Sequence, residues 1–265
     1  MKPRFFVFLI FIAFLTLLTE TAFSESKLVL YFPFEEGKGI TVNDASRSGN
    51  NGEIKGGAVW SQDGKYGNAL EFNATDSYIL VPTSPSLDIT TKVTIMAWVK
   101  WVDAGDSWIC IMASGQQNGP WESYGMFIYR STKQIYFPLN LKSGFVLAMT
   151  KTTSPNQVTQ PGTWQHLCGT YDGNKAIIYV DGKSVFESSL ESELVPTKMD
   201  LRIGHRLGST HYFNGLMDEV AIFEGALDEN EIQKAMLGVN KFAIVESMGK
   251  LSTYWGSIKI LPNQI

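Results

Sequence analysis

Ala176-Ile177-Ile178-Tyr179-Val180-Asp181-Gly182-Lys183-Ser184-Val185-Phe186-Glu187 is two apolar, β-prone runs around an Asp-Gly pair. Asp and Gly both tolerate positive φ, which a two-residue hairpin turn demands, so the stretch predicts a tight β-hairpin. Similar runs lie upstream. Trp164 to Tyr171 precedes the hairpin directly, and Val93-Thr94-Ile95-Met96-Ala97-Trp98-Val99-Lys100 alternates β-branched or polar residues with bulky apolar ones. Leu28 to Phe34, Asn68 to Phe72, Tyr78 to Val81, Ile109 to Ala113, Gly125 to Arg130 and Gln134 to Leu139 continue the series, and Asp200 to Gly204 and Leu216 to Glu224 end it. A dozen or so short strands, with Gly, Asn, Asp or Pro between most of them, predict an all-β sandwich or barrel.

One helix is expected late in the chain. Asp228 is placed to accept from first-turn amides and Glu231 to reach back, a capping box ahead of Ile232, Ala235, Met236 and Leu237, with Gly238 as the stop. Residues 239–265 hold a modest apolar pattern that suits an extra strand, a docking tail or a free end.

The first residues read as a secretory signal. Lys2 and Arg4 precede the apolar run Phe5 to Leu18, and Ala22-Phe23-Ser24 supplies small residues at a cleavage site. A run of roughly 14 apolar residues is short of the about 20 that span a membrane. The expectation is a signal peptide over 1–24, one domain over 25–238 and a secreted or periplasmic product. The formal net charge of −4 comes without any basic block, which argues against nucleic acid as a partner. Cys110 and Cys168 both sit in apolar runs. Export permits a disulfide between them, and burial as free thiols is the alternative. With no suitably spaced histidines they do not make a zinc site.

The ordered set of local patterns resembles bacterial LamG-like domains of the concanavalin A-like lectin/glucanase type, from about Leu28 to Leu237. The resemblance is carried by Tyr31-Phe32-Pro33-Phe34-Glu35-Glu36-Gly37, Val42-Asn43-Asp44-Ala45-Ser46, Gly67-Asn68-Ala69-Leu70-Glu71-Phe72 and the Trp98 strand. It continues through Trp164-Gln165-His166, Tyr179-Val180-Asp181-Gly182, Arg202-Ile203-Gly204 and Phe213-Asn214-Gly215-Leu216-Met217-Asp218-Glu219. Gln165 and Cys168 depart from the family pattern. The resemblance implies a two-sheet antiparallel jelly-roll β-sandwich with one short C-terminal helix. Sixteen Phe and seven Trp suit such a core.

Three chemistries compete for a site. Asp44 lies in an oxygen-rich loop with Asn43, Ser46, Asn50 and Asn51, and hard cations take such oxygens. By analogy with the family, Asp44, Asn50 and Asp218 would hold a structural Ca²⁺. The alternative is that these side chains only shape turns. A sugar or surface-protein site is expected on loops, at Trp121 and Tyr124 and at His205, Arg206, His211 and Tyr212, because sugar rings present an apolar face and a hydroxyl edge. Packing is the alternative for each aromatic residue. Glycoside hydrolysis needs two carboxylates flanking the scissile bond. Glu219-Val220-Ala221-Ile222-Phe223-Glu224 lacks the central acid of the sandwich-glycosidase motif, and Glu35-Glu36 would point apart on a strand. Neither a serine elbow nor a phosphate-binding glycine loop is present. A strand position for His166 suits a packed imidazole better than a catalytic base.

The sequence thus predicts a secreted, non-catalytic binding module for glycans or a surface protein, with a glycosidase and a structural adhesion protein as the other readings. Expression of the full chain in a secreting host, followed by intact-mass analysis, should give a mature N terminus at Glu25. A full-length product would overturn the signal assignment.

Overall fold

The computed structural model describes residues 26–116, 119, 122–150 and 158–242. The expected signal peptide, the tail beyond Phe242 and Trp121 lie outside the described residues.

The strands are β1 (Lys27–Phe32), β2 (Thr41–Val42), β3 (Gly52–Lys55), β4 (Val59–Ser61), β5 (Ala69–Asn73), β6 (Tyr78–Val81), β7 (Val93–Trp101) and β8 (Trp108–Ala113). They continue as β9 (Gly125–Tyr129), β10 (Gln134–Leu141), β11 (Gly144–Met149), β12 (Gln165–Tyr171), β13 (Lys175–Val180), β14 (Lys183–Ser189), β15 (Leu201–Ile203) and β16 (Asn214–Glu224), with helix α1 (Glu229–Ala235) last. They form two antiparallel sheets packed face to face. The first runs β14-β13-β12-β7-β16-β5-β4, with β1 also on β16; the second runs β11-β10-β9-β8-β15-β6-β3-β2.

Period-two alternation explains the core. Val93, Ile95, Ala97 and Val99 of β7 meet Ile109, Ile111, Ile128 and Phe137 of the second sheet in one buried cluster. The expected hairpin joins β13 to β14, with Asp181 at φ 50° and Gly182 at φ 73°. The capping box forms as read: Asp228 accepts from the Glu231 amide, and Glu231 accepts from the Asp228 amide, each at 2.8 Å. Helix α1 covers the outer face of the first sheet, where Ile232 and Ala235 pack with Met96, Cys168, Tyr179, Ala221 and Phe223. Val239 and Phe242 extend this layer, so the start of the tail docks.

Cys110 packs on the outer face of the second sheet beside Phe127, and Cys168 packs under α1 on the outer face of the first. Two sheets separate them, and both are free buried thiols. Strand β11 has no counterpart in the sequence reading. Phe145-Val146-Leu147-Ala148-Met149 shows no polar alternation, because its outward residues Leu147 and Met149 are themselves apolar and exposed.

Strand β16 changes partner partway along. Its first residues pair with β5 and its last with β1, while β7 runs along its other side with a register shift between Asp218 and Ala221. The bulge puts Glu219 at φ 52° and buries both carboxyls. Asp218 accepts from the Tyr66 and Glu219 amides at 2.9 and 2.8 Å. Glu219 accepts from the Tyr31 hydroxyl at 2.7 Å. Burial pushes the Asp218 carboxyl up to about 7, against those two amides and with the Glu219 and Glu35 charges adding to the rise.

Gly204 ends β15. At φ +87°, with an added Cβ falling 2.5 Å from the Phe72 ring, only glycine turns the chain here without strain. Gly204→Ala should therefore lower stability by about 1–3 kcal/mol, read as a lower urea midpoint at constant m-value. The Asp218 carboxyl binds its proton more tightly folded than unfolded, so its favourable contribution is complete below about pH 4 and is lost as pH rises through about 7. Urea unfolding at pH 5 and pH 8 should show Asp218→Asn losing less stability over that interval than the parent chain; equal losses would contradict the shift.

Candidate functional site

The outer face of the second sheet gathers aromatic residues that the strands, not the loops, present. Trp108 of β8 is the hub. Its ring lies 4.6 Å from Tyr136 of β10, 4.8 Å from Tyr129 and 6.4 Å from Phe127 of β9. The register explains the gathering: Trp108 pairs with Tyr129, Cys110 with Phe127, and Phe127 with Tyr136. Outward residues on neighbouring strands stand side by side, and here most of them are rings, with Cys110 beside Phe127. Trp108, Tyr129 and Tyr136 are half-buried, so ring surface stays open to solvent.

The loop 205–212 folds over this face. His205 and Tyr212 bridge its two ends, and their rings stack at 4.0 Å with planes 9° apart. Tyr78 of β6 lies 5.3 Å from His205, and His211 sits 6.2 Å from Trp108. Within the loop, the Ser209 hydroxyl donates to the Arg206 carbonyl at 2.7 Å, and the His205 Nε2 contacts the Ser209 carbonyl at 3.1 Å. Thr210 donates to Asp106, which ties the loop to the chain entering β8. Burial lowers both imidazoles below the ordinary histidine value, which favours their uncharged form at neutral pH. Each has a buried Nδ1 without a hydrogen-bond partner.

Arg206 lies over the Phe127 ring at 5.7 Å and forms a two-point ion pair with Glu122, whose side chain is 1% exposed. Burial raises the Glu122 carboxyl, and the guanidinium opposes that rise. The pair fixes the loop to the sheet and leaves Glu122 committed to Arg206.

The structure thus unites His205, Arg206, His211 and Tyr212 from the sequence reading on one surface. Tyr124 is not part of it. Its side chain is fully buried in the sandwich core and donates to the Leu87 carbonyl at 2.9 Å, because its strand-end position points inward. The expectation of an exposed Tyr124 is corrected accordingly. Trp108, Tyr129, Tyr136, Tyr78 and Arg202 lie on strands, whereas the sequence reading places candidate binding residues on loops. The available signal was the recurrence of aromatics at outward positions of successive strands.

Asp44 and Asp218 do not share a centre. Asp44 Oδ1 accepts from the Tyr31 and Ser46 amides, both at 2.9 Å; Oδ2 accepts from the Ser46 hydroxyl at 2.8 Å and the Asn50 amide at 2.9 Å. The Asn50 side chain donates to the Val29 carbonyl and the Ser86 hydroxyl. Four donors fill the Asp44 carboxylate, and the Asn50 amide nitrogen turns inward, so this loop does not fit a cation. Among the described residues no three His, Cys, Asp or Glu side chains cluster as a metal would need.

Asp218, Glu219, Glu35 and Glu36 also accept hydrogen bonds within the fold, and Glu36 Oε2 is buried without a partner. Asp218 and Glu219 lie buried on the first sheet, and Glu219 accepts at 3.5 Å from the Val239 amide just past α1. Glu35 and Glu36 lie in the irregular segment after β1 rather than in a strand and still diverge, towards Asn68 and Asn43. His166 is fully buried against Trp98, at 5.5 Å between rings, and desolvation lowers it to about 3; its Nδ1 has no partner, so it is a packed neutral imidazole. An open cleft of about 580 Å³ lies elsewhere, lined by Lys92, Lys142, Asp172, Glu191 and Glu193, in which Lys142 pairs with Glu193 at 2.7 Å and Asp172 accepts from the Asn174 and Lys175 amides.

Comparison with known proteins follows this geometry. A laminin G family model, described as the concanavalin A-like lectin/glucanases superfamily, matches residues 73–233. Among solved structures, the binding domain of Paraclostridial Mosquitocidal Protein 1 superposes with TM-score 0.64 at 17% identity, over 79% of this chain and 51% of that one. Domain 4 of AbnA, a GH43 extracellular arabinanase from Geobacillus stearothermophilus solved in complex with arabinotriose, gives TM-score 0.61 at 19% identity, over 79% of this chain and 98% of that one. The botulinum neurotoxin serotype G binding domain gives 0.60 at 14%, over 78% and 50%. The chain therefore spans about half of each toxin domain and nearly all of the arabinanase domain, and at these identities the likeness is one of fold. No curated protein sequence matches the chain. The family match runs from the end of β5 into α1, through most strands of both sheets and the loop 205–212, and by it the chain belongs to the concanavalin A-like lectin/glucanases superfamily.

Proposed function

We propose that this protein is an exported, non-catalytic carbohydrate-binding module, and that the outer face of the second sheet is its binding surface. The observation that carries this reading is the Trp108 cluster. Four aromatic rings from three adjacent strands make a rigid, partly open platform, with neutral imidazoles at its border. Sugar rings bring C–H faces that lie on such rings and hydroxyls that bond to polar groups around them. Placing the rings on strands fixes them before binding, so little side-chain order is lost when a ligand docks.

Two further points support it. The buried carboxylates face fold partners rather than an open cleft, as a binding role without hydrolysis requires. A module of the same fold and extent, the arabinanase domain, was solved with arabinotriose. Export rests on the N-terminal sequence pattern of residues 1–24.

A glycan array should show binding by the full chain. Trp108→Ala should weaken the best ligand by at least about tenfold, a loss of about 1.4 kcal/mol, with the thermal midpoint little changed. Unaltered affinity in a folded Trp108→Ala protein would move the site off this face.

A further inference from the structure

The outer face of the second sheet carries two arginines at its centre, and they differ in how their charge is met. Arg206 is matched by the buried Glu122. Arg202 stands midway along β15, with Ala113 of β8 and Leu80 of β6 as its register partners. Its guanidinium lies over the Tyr78 ring at 5.6 Å. Among the described residues it forms no ion pair, and its Nε is buried without a hydrogen-bond partner. Nearby acids are engaged elsewhere. Glu53 pairs with Lys55 at 2.6 Å, Asp76 accepts from the Gly57 amide and the Asn73 side chain, and Asp200 accepts from the Thr83 amide.

A guanidinium laid against an aromatic ring with unmatched N–H donors is a receptor for a planar anion, since a carboxylate accepts two of its N–H groups in parallel. The neighbouring rings define what carries that anion. Tyr78, His205 and Tyr212 form a continuous row of rings beside Arg202, Tyr78 tilted 48° to His205 at 5.3 Å and Tyr212 stacked on it at 4.0 Å, and Tyr212 at the end of the row is half-exposed. The small Ala113 leaves the other flank of the arginine low. A ring with an apolar face and a carboxylate at its edge satisfies both elements at once.

We propose that the glycan taken by this face is acidic, a carboxylated sugar whose carboxylate is held by Arg202 while its ring lies against the Tyr78–His205–Tyr212 row. This rests on the reading of the same face as a glycan site and adds the ligand class. Arg202 is its specificity-determining residue, and the Trp108 platform serves neighbouring sugar units of the chain without regard to charge.

The test uses the full chain and paired probes: oligogalacturonates, oligomannuronates, oligoglucuronates and sialyllactose, each beside its carboxyl-reduced counterpart, with binding measured at low and high salt. The expected result is that at least one acidic probe binds about tenfold or more tighter than its reduced form. That preference should shrink with salt and vanish in Arg202→Gln, while Trp108→Ala weakens both forms. Equal binding of an acidic probe and its reduced form would overturn the proposal and leave the aromatic-face reading standing. Persistence of the preference in folded Arg202→Gln would also overturn it. Should that variant fail to fold, Arg202→Lys, which retains the charge but not the planar fork, should reduce the preference without removing it, and an unchanged preference there would count against the assignment. Absence of binding to every probe, acidic or neutral, would overturn both readings.

Discussion

Strand β16 is the constraint on which the rest of the structure depends. It is buried along nearly its whole length, and it must pair with β5 at one end, β1 at the other and β7 throughout. The register shift against β7 at Asp218–Ala221 falls where the partner on the opposite edge changes from β5 to β1, and the Asp218 and Glu219 side chains there are buried. Their burial is tolerable only because backbone amides and the Tyr31 hydroxyl meet them. That network also reaches the 62–68 loop through Tyr66 and the end of α1 through Val239. The first sheet is therefore covered on its outer side by a helix and a loop, and on the outer face of the second sheet, beside the loop 205–212, Trp108, Tyr129 and Tyr136 stay half-buried.

Open sheet faces on soluble proteins usually carry charge and small polar side chains. Here Trp108, Phe127, Tyr129 and Tyr136 occupy that face, next to a loop whose own rings stack on one another. The loop is held by three separate devices: the glycine turn at Gly204, the Arg206–Glu122 pair and the Thr210–Asp106 bond. Each secures a different part of it, so the rings are presented at a fixed height above the sheet.

The legible part of the fold came from local signals. The Asp181-Gly182 hairpin and the Asp228–Glu231 capping box formed as read, because both depend on residues within a few positions of each other. The two-sheet sandwich was legible because period-two alternation recurs in strand after strand. Strand β11 was not, since an apolar outward face erases the alternation that would have announced it. Among site residues, the loop 205–212 was recognised by its run of His, Arg and Tyr, while Tyr124 was misjudged because a residue beside a loop shows no sign of which side of the sheet it will face.

The sequence by itself determined the strand count within a few elements, the all-β class, the family and the late helix, because propensity, turn chemistry and capping are properties of neighbours in the chain. Only the tertiary structure decided which aromatics meet. Trp108, Tyr129 and Tyr136 converge through register, and Arg202, Tyr78, His205 and Tyr212 through the crossing of β15 between β8 and β6. It also placed Cys110 and Cys168 on the outer faces of different sheets and gave Asp44 and Asp218 separate hydrogen-bond partners. Register and layer assignment are set by contacts between residues far apart in sequence, and no local pattern records them.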